Sequence, residues 1–185
     1  MIIIIALWGL WIVYWLIAAI GGKPVERREG SWSRLTHHIP LTLGAVLIAV
    51  PNFLGGFLEG FFRPATLILF WISVALVAIG LAFAVAARVW LGGNWSGTVT
   101  VKAGHELVRS GPYACVRHPI YTGLLLALIG TTLAVGQWRA LLGLALVIVG
   151  IVRKLTMEER FMTEEFGAAY VDYRQRVAML VPFLV

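Results

Sequence analysis

Charged residues and cysteine are both scarce in this sequence of 185 residues. Asp, Glu, Lys and Arg make up 13% of the chain, whereas 60% of its residues are hydrophobic. Nine acidic and fifteen basic side chains cannot cover the surface of a soluble domain of this size, so lipid must be the solvent for most of the chain. Cys115 is the only cysteine, which excludes a disulfide framework and a cysteine-based zinc site. The sequence therefore indicates a single membrane domain over residues 1–185.

The net charge of +6 and the four histidines do not indicate nucleic-acid or metal binding. The basic residues are scattered through short loops, and no two histidines have the spacing of a metal-binding motif. We therefore expect neither a nucleic-acid partner nor a metal. The N-terminal segment lacks the basic start and the small-residue cleavage site of a signal peptide, so we interpret it as a mature membrane span.

Uncharged segments predict five transmembrane helices, at residues 2–20, 39–58, 65–87, 120–135 and 140–152. The first is long enough for about 28 Å of helix, which matches a hydrocarbon core of about 30 Å. Pro51 is expected to kink or end the second. The last two are separated by a short turn and predict a C-terminal helical hairpin. The expected fold is an all-α polytopic membrane protein, with three spans in residues 1–90 and a functional core in residues 91–185.

The orientation of these spans follows from the Lys and Arg residues of the short loops. The loop after the first span, the loop at residues 88–119 and the tail from Arg153 carry nearly all of them. The two opposite turns carry Arg63 and Arg139 alone. We therefore expect the N-terminus outside, and the polar loop and charged tail together on the cytoplasmic face.

A dense polar cluster lies where the polar loop enters the fourth span, between Gly111 and Gly123. Ionisable groups close to hydrocarbon indicate function by default. Alternatively, Arg117 and His118 only anchor the helix among lipid headgroups, and the neighbouring tyrosines belong to an aromatic belt.

Two adjacent carboxylates, Glu158 and Glu159, follow the last span on the same expected face of the membrane. They are suited to receive a cationic or hydroxyl-rich ligand. The alternative is that they are solvated charges beside Arg153, Lys154 and Arg160, as is usual for a run of charges.

Ordered motifs occupy roughly the C-terminal half: Leu91-Gly92-Gly93-Asn94-Trp95-Ser96, His105-Glu106-Leu107-Val108, Gly111-Pro112-Tyr113, Arg117-His118-Pro119-Ile120-Tyr121-Thr122-Gly123, Glu158-Glu159, and Phe166-Gly167 followed by Tyr170, Tyr173, Arg176 and Val177. In this order they closely resemble the isoprenylcysteine carboxyl methyltransferase family. They are similar, more weakly, to the related phospholipid N-methyltransferases.

The resemblance implies methyl transfer from S-adenosylmethionine to a lipidated or otherwise apolar acceptor that enters from the bilayer. The cofactor contacts that it implies come from His105, Leu107, Val108, Gly111, Tyr113, His118, Tyr121, Gly123, Glu158 and Glu159. A carboxylate acceptor is already ionised, so the protein must exclude water and hold the negative charge. Arg153 is the first candidate for that charge and Arg117 the second, because a guanidinium binds a carboxylate bidentately. Together with Glu158, these two arginines are the expected catalytic residues.

Two other functions fit the same sequence. An N-methyltransferase acting on a phospholipid or small amine would need a general base, for which His118 or a glutamate is the candidate. A non-catalytic membrane protein that binds lipid would keep the fold without turnover.

Overall fold

The computed structural model describes residues 1–20, 25–28, 30–53, 56–63, 65–95, 100–102 and 107–182. The helices in these ranges are α1 (Ile2–Ala18), α2 (Ser31–Ala49), α3 (Leu67–Leu91), α4 (Pro112–Cys115), α5 (Pro119–Val135), α6 (Trp138–Phe166) and α7 (Ala168–Arg176). A short antiparallel pair, β1 (Val25–Arg28) and β2 (Thr100–Lys102), joins two loops. The predicted helical fold is therefore confirmed apart from this pair, whose strands are too short to give an alternating pattern.

Two helices, α3 and α6, are long and apolar enough to cross a membrane. The apolar helices α1 and α5 are shorter, at 17 residues each. Large apolar side chains such as Ile2, Leu10 and Ile68 are exposed on α1 and α3, as expected for helices that face lipid. The expectation of five crossings stays a prediction.

Helix α2 differs from the predicted second span, because it begins at Ser31 and ends at Ala49. Pro40 lies inside it without ending it. Pro51 does mark its end: a residue close before a proline avoids the helical region, and Val50 is already extended. The expected span 39–58 thus covers the second half of a helix and the turn after it.

Glycines bring the helices together in two close pairs. A Cβ atom added to Gly123 on α5 would lie 2.4 Å from the carbonyl oxygen of Gly80 on α3. Between α2 and α6, a Cβ atom on Gly44 would lie 2.5 Å from the carbonyl oxygen of Gly143. Small residues at helix crossings allow this approach of backbones in membrane bundles. The two pairs position α5 and α6, which carry the polar cluster.

Arginines bind the carbonyl ends of several helices. Arg139 donates through Nη1 to the carbonyl of Leu47 near the end of α2, at 2.6 Å. Arg63 donates through Nε to the carbonyl of Leu133 near the end of α5, at 2.7 Å. Arg88 donates to carbonyls at the ends of both α1 and α3. The last carbonyls of a helix have no partner within it, and leaving them unpaired in lipid is costly, so these contacts stabilise the helix ends.

Candidate active site

Polar side chains of α5, α6 and the segment before α5 meet at one end of the bundle. Pro119 occupies the first turn of α5, where its missing N–H costs nothing, and this places His118 directly at the helix start. Glu158 and Glu159 lie on α6 beyond the apolar part of that helix. The predicted meeting of the polar loop with the glutamate pair is therefore seen in the structure.

Glu159 is the centre of a buried ion pair. Its Oε1 atom lies 2.7 Å from Nε of Arg117 and 3.3 Å from Nε2 of His118. Arg117 is 8% exposed, His118 9% and Glu159 6%. Charges so buried persist only when they are paired and hydrogen-bonded, so His118 and the Arg117 guanidinium together stabilise a carboxylate at this position.

Glu158 is the more accessible of the two carboxylates, with 21% of its side chain exposed. The Tyr121 hydroxyl donates to its Oε1 atom at 2.9 Å. On the other side of this carboxylate, Oε2 lies 3.6 Å from Nδ1 of His118. The His118 ring thus lies between both carboxylates, within hydrogen-bond distance of Glu159 and slightly farther from Glu158.

Lys154 joins this cluster, although the sequence did not single it out. Its ammonium lies 5.5 Å from the centre of the Tyr121 ring and 4.0 Å from Oε1 of Glu158. Arg153, the residue expected to hold an acceptor's charge, is exposed and donates to the Thr36 hydroxyl on α2. The sequence could have indicated Lys154, because it precedes Glu158 by four residues and the two side chains therefore lie on the same face of a helix.

Arg117 also fastens the C-terminal tail to the cluster. Its Nη1 atom donates to the carbonyl of Arg174 at 2.9 Å and to that of Val177. The backbone N–H of Arg117 donates to the carbonyl of Ala178, at 2.8 Å. These bonds and Glu159 engage most of the Arg117 guanidinium inside the protein, and its expected role toward an acceptor carboxylate stays a prediction.

The Tyr173 side chain of α7 holds this helix against α4. The Tyr173 hydroxyl donates to the backbone carbonyl of Tyr113 at 2.5 Å. Burial raises the pKa of Tyr173 to about 12 and the pKa of Tyr113 still further, so both phenols are protonated at neutral pH. Tyr113 packs with Ala87 and Ile120 in an apolar cluster, and Val108 packs against its edge.

The remaining predicted cofactor residues differ in their surroundings. Leu107 is half-buried, and His105 lies outside the described residues. Gly111 has a φ of +59°, and a Cβ atom there would lie 2.4 Å from the Trp90 ring. Gly123 packs on α3, as described above. The close approaches seen at both glycines are to the protein itself, and their contact with a cofactor stays a prediction.

A cavity of about 560 Å³ is lined by Arg117 and Glu159. Thr156 and Arg160 of α6 line it as well, together with Arg174 and Met179. Its volume is in the range of small-molecule sites. Among the described residues, no group of three or more His, Cys, Asp or Glu side chains could hold a metal ion.

Residues 71–165 match the model of the isoprenylcysteine carboxyl methyltransferase (ICMT) family. Protein-S-isoprenylcysteine O-methyltransferase B of Arabidopsis thaliana is 28% identical, over 76% of this chain and 73% of its own length. The Homo sapiens protein-S-isoprenylcysteine O-methyltransferase is 31% identical, over 81% of this chain and 54% of its own length. The Schizosaccharomyces pombe protein-S-isoprenylcysteine O-methyltransferase is 29% identical, over 72% of this chain and 55% of its own length.

A solved structure is also similar to this chain: the eukaryotic intramembrane Ras methyltransferase ICMT, determined without a monobody. It superposes with a TM-score of 0.59 at 25% identity, over 80% of this chain and 52% of that one. The chain thus spans about half the length of this protein and of the human and yeast relatives. The Arg117–Glu159 cluster lies inside the matched segment.

Proposed function

The chain belongs to the isoprenylcysteine carboxyl methyltransferase family, and from this premise we propose that it transfers a methyl group from S-adenosylmethionine to a carboxylate on a lipidated acceptor. The observation that carries the proposal is the junction of His118, Tyr121, Glu158 and Glu159 at the end of the bundle. The relatives' names indicate the class of acceptor, a prenylated cysteine with a free carboxyl group.

The residues around Glu158 fit this cofactor. When bound, S-adenosylmethionine supplies a methyl group on a positively charged sulfur. The Glu158 carboxylate accepts one hydrogen bond from Tyr121 and retains lone pairs for hydroxyl or ammonium donors. The apolar cluster around Tyr113 and Val108 offers a surface on which a purine ring can pack. We propose that the cofactor is held by Leu107, Val108, Tyr113, His118, Tyr121, Glu158 and Glu159.

The acceptor's carboxylate needs a cation but no general base, because it is ionised at neutral pH. We assign this role to Lys154 instead of Arg153 or Arg117. The Lys154 ammonium is buried beside Tyr121 and Glu158, where a charge interacts more strongly than at the surface. Arg153 is exposed beside α2, and Arg117 binds Glu159 and the tail.

Methyl transfer is tested by incubating membranes that contain the protein with methyl-labelled S-adenosylmethionine and a farnesylated cysteine. We expect label in the acceptor as a base-labile methyl ester. A base-stable methylamine on a lipid would instead support the N-methyltransferase alternative. No transfer to any acceptor by a folded protein that binds the cofactor would contradict both enzyme functions.

Lys154→Met and its neighbour Arg153→Met form a matched pair for the acceptor site. Losing a buried charged contact costs about 2–5 kcal/mol, so Lys154→Met should raise the KM for the acceptor by more than about tenfold. The Kd of the cofactor should stay within about twofold. Arg153→Met should change neither constant. An unchanged KM in Lys154→Met would contradict the assignment.

We also propose that the site faces the cytoplasm. Cys115 is exposed, lies two residues before Arg117 and is the only cysteine of the chain, so it reports the side of the membrane on which the site lies. A membrane-impermeant maleimide should label it in inverted vesicles and leave it unlabelled in right-side-out vesicles. The opposite pattern would contradict this orientation.

A further inference from the structure

The C-terminal tail, residues 177–180, is bound along the segment that carries the polar cluster. Val116 and Ala178 form a parallel bridge, and the backbone N–H of His118 donates to the carbonyl of Met179 at 3.1 Å. The Thr122 hydroxyl donates to the carbonyl of Leu180 at 2.7 Å. The backbone of Met179 and Leu180 is therefore held beside the segment from Val116 to Thr122.

These two side chains pack against an apolar cluster that is formed by residues of α2, α5 and α6. The cluster is formed by buried residues that include Ile151 and Leu155, which are 3% and 0% exposed. Met179, Leu180 and Tyr121 pack against it and are half-buried. Because Ile151 and Leu155 are covered, the accessible apolar surface of the cluster comes from its half-buried residues, and these include Tyr121, Met179 and Leu180.

Tyr121 connects this surface to the polar cluster. Its ring packs on the apolar residues, while its hydroxyl donates to Glu158. An acceptor that has its carboxylate beside Lys154 and its hydrocarbon chain in the bilayer must place the first part of that chain near the Tyr121 ring. Met179 packs on the same apolar cluster and also lines the cavity beside Arg117 and Glu159, so it contacts both regions.

We infer that Met179 and Leu180 form part of the wall that contacts the acceptor's hydrocarbon chain, and so determine which chains are accepted. The inference rests on the proposed methyl transfer. An unbranched thioether side chain adapts to chains of different shape, whereas leucine sets a firmer boundary. Met179 contacts His118 through its backbone carbonyl, which a side-chain substitution retains, so the effect of both variants should fall mainly on the acceptor.

The test compares cysteines that carry geranyl, farnesyl and geranylgeranyl chains, each with a free carboxyl group. In Met179→Ala and Leu180→Ala we expect the ratio of kcat/KM between the longest and the shortest chain to change by about fivefold or more, as for a lost apolar contact. Leu180→Trp should lower kcat/KM for the longest chain most. The exposed neighbour Val181 provides the control, and Val181→Ala should leave the ratio unchanged.

Cofactor binding distinguishes failure of this inference from failure of the proposed function. If the wild-type protein binds no S-adenosylmethionine and methylates none of the three acceptors, the proposed function is wrong. If it methylates them, and the Met179 and Leu180 variants lower kcat/KM equally for every chain, the tail has only a structural role and the inference is overturned. Thr122→Val, which removes the donor to Leu180, should alter the same ratio, and Thr122→Ser should restore it.

Discussion

Replacing Arg117 should destabilise the protein strongly, because this guanidinium neutralises a buried carboxylate and binds the tail. In Arg117→Met, Glu159 loses a partner at 2.7 Å in a position that is 6% exposed. The carbonyls of Arg174 and Val177 lose their donor as well. Breaking a buried ion pair from one side costs about 3–5 kcal/mol.

For a chain of this length, each kcal/mol corresponds to about 2–4 °C, so the Tm in detergent should fall by about 6–20 °C. Differential scanning fluorimetry measures this fall through the tryptophans. Arg176→Met is the matched control: Arg176 pairs with Asp172 on the surface, where its side chain is 74% exposed, and such a pair contributes about 0–1 kcal/mol.

A double variant separates the effect of charge on stability from the effect of packing. Arg117→Met with Glu159→Gln removes both charges, and should be more stable than Arg117→Met alone by about 1–3 kcal/mol. If Arg117→Met lowers the Tm no more than Arg176→Met does, or if the double variant recovers nothing, the account of a buried ion pair is refuted.

Three further predictions concern the packing of the fold. Gly123→Ala should lower the stability by about 1–3 kcal/mol, because its Cβ atom would meet the backbone of α3. Gly9→Ala is the control and should leave the stability unchanged, because nothing lies within 4 Å of the added Cβ atom. Thermal unfolding of both variants measures the difference. Tyr173→Phe leaves the Tyr113 carbonyl without its donor and should cost about 1–3 kcal/mol. Burial raises the pKa of Tyr173 from 10.0 to about 12, so the wild-type protein should lose stability relative to Tyr173→Phe as the pH rises between those values. A constant difference in stability would contradict the raised pKa. Arg139→Met should expose the end of α2 to proteolysis, and resistance equal to the wild type would show that this cap is dispensable.

Helices that coincide with uncharged segments were predictable from the sequence, because lipid selects for apolar side chains along the whole span. Thus α1, α3 and α5 lie within a few residues of the expected spans. Helix α2 was not predictable as a whole, because its first turns contain Arg34 and His37 and so lack the pattern of a membrane span. The pair β1 and β2 depends on contacts between distant loops, which local patterns do not encode.

Within the site, residue types were predictable but their pairing was not. The expected topology put His118 on the same face of the membrane as Glu158 and Glu159, and the family resemblance added Tyr121 to this group. The sequence favoured Arg153, and Arg117 second, on the chemistry of guanidinium, whereas the phase of α6 turns Lys154 toward Glu158. The tail contacts of Arg117 came from the path of the chain after α7, which no motif describes.

Calorimetric titration of the purified protein with S-adenosylmethionine tests the central claim most directly, because the claim is that the cluster around Glu158 holds this cofactor. We expect saturable binding by the wild type, and a Kd raised by at least about tenfold when Tyr121→Phe is combined with Glu158→Gln, since two groups of the cluster are then lost. Arg153→Met should bind as the wild type does. An absence of binding by folded wild-type protein, or unaltered binding by the double variant, would contradict the account.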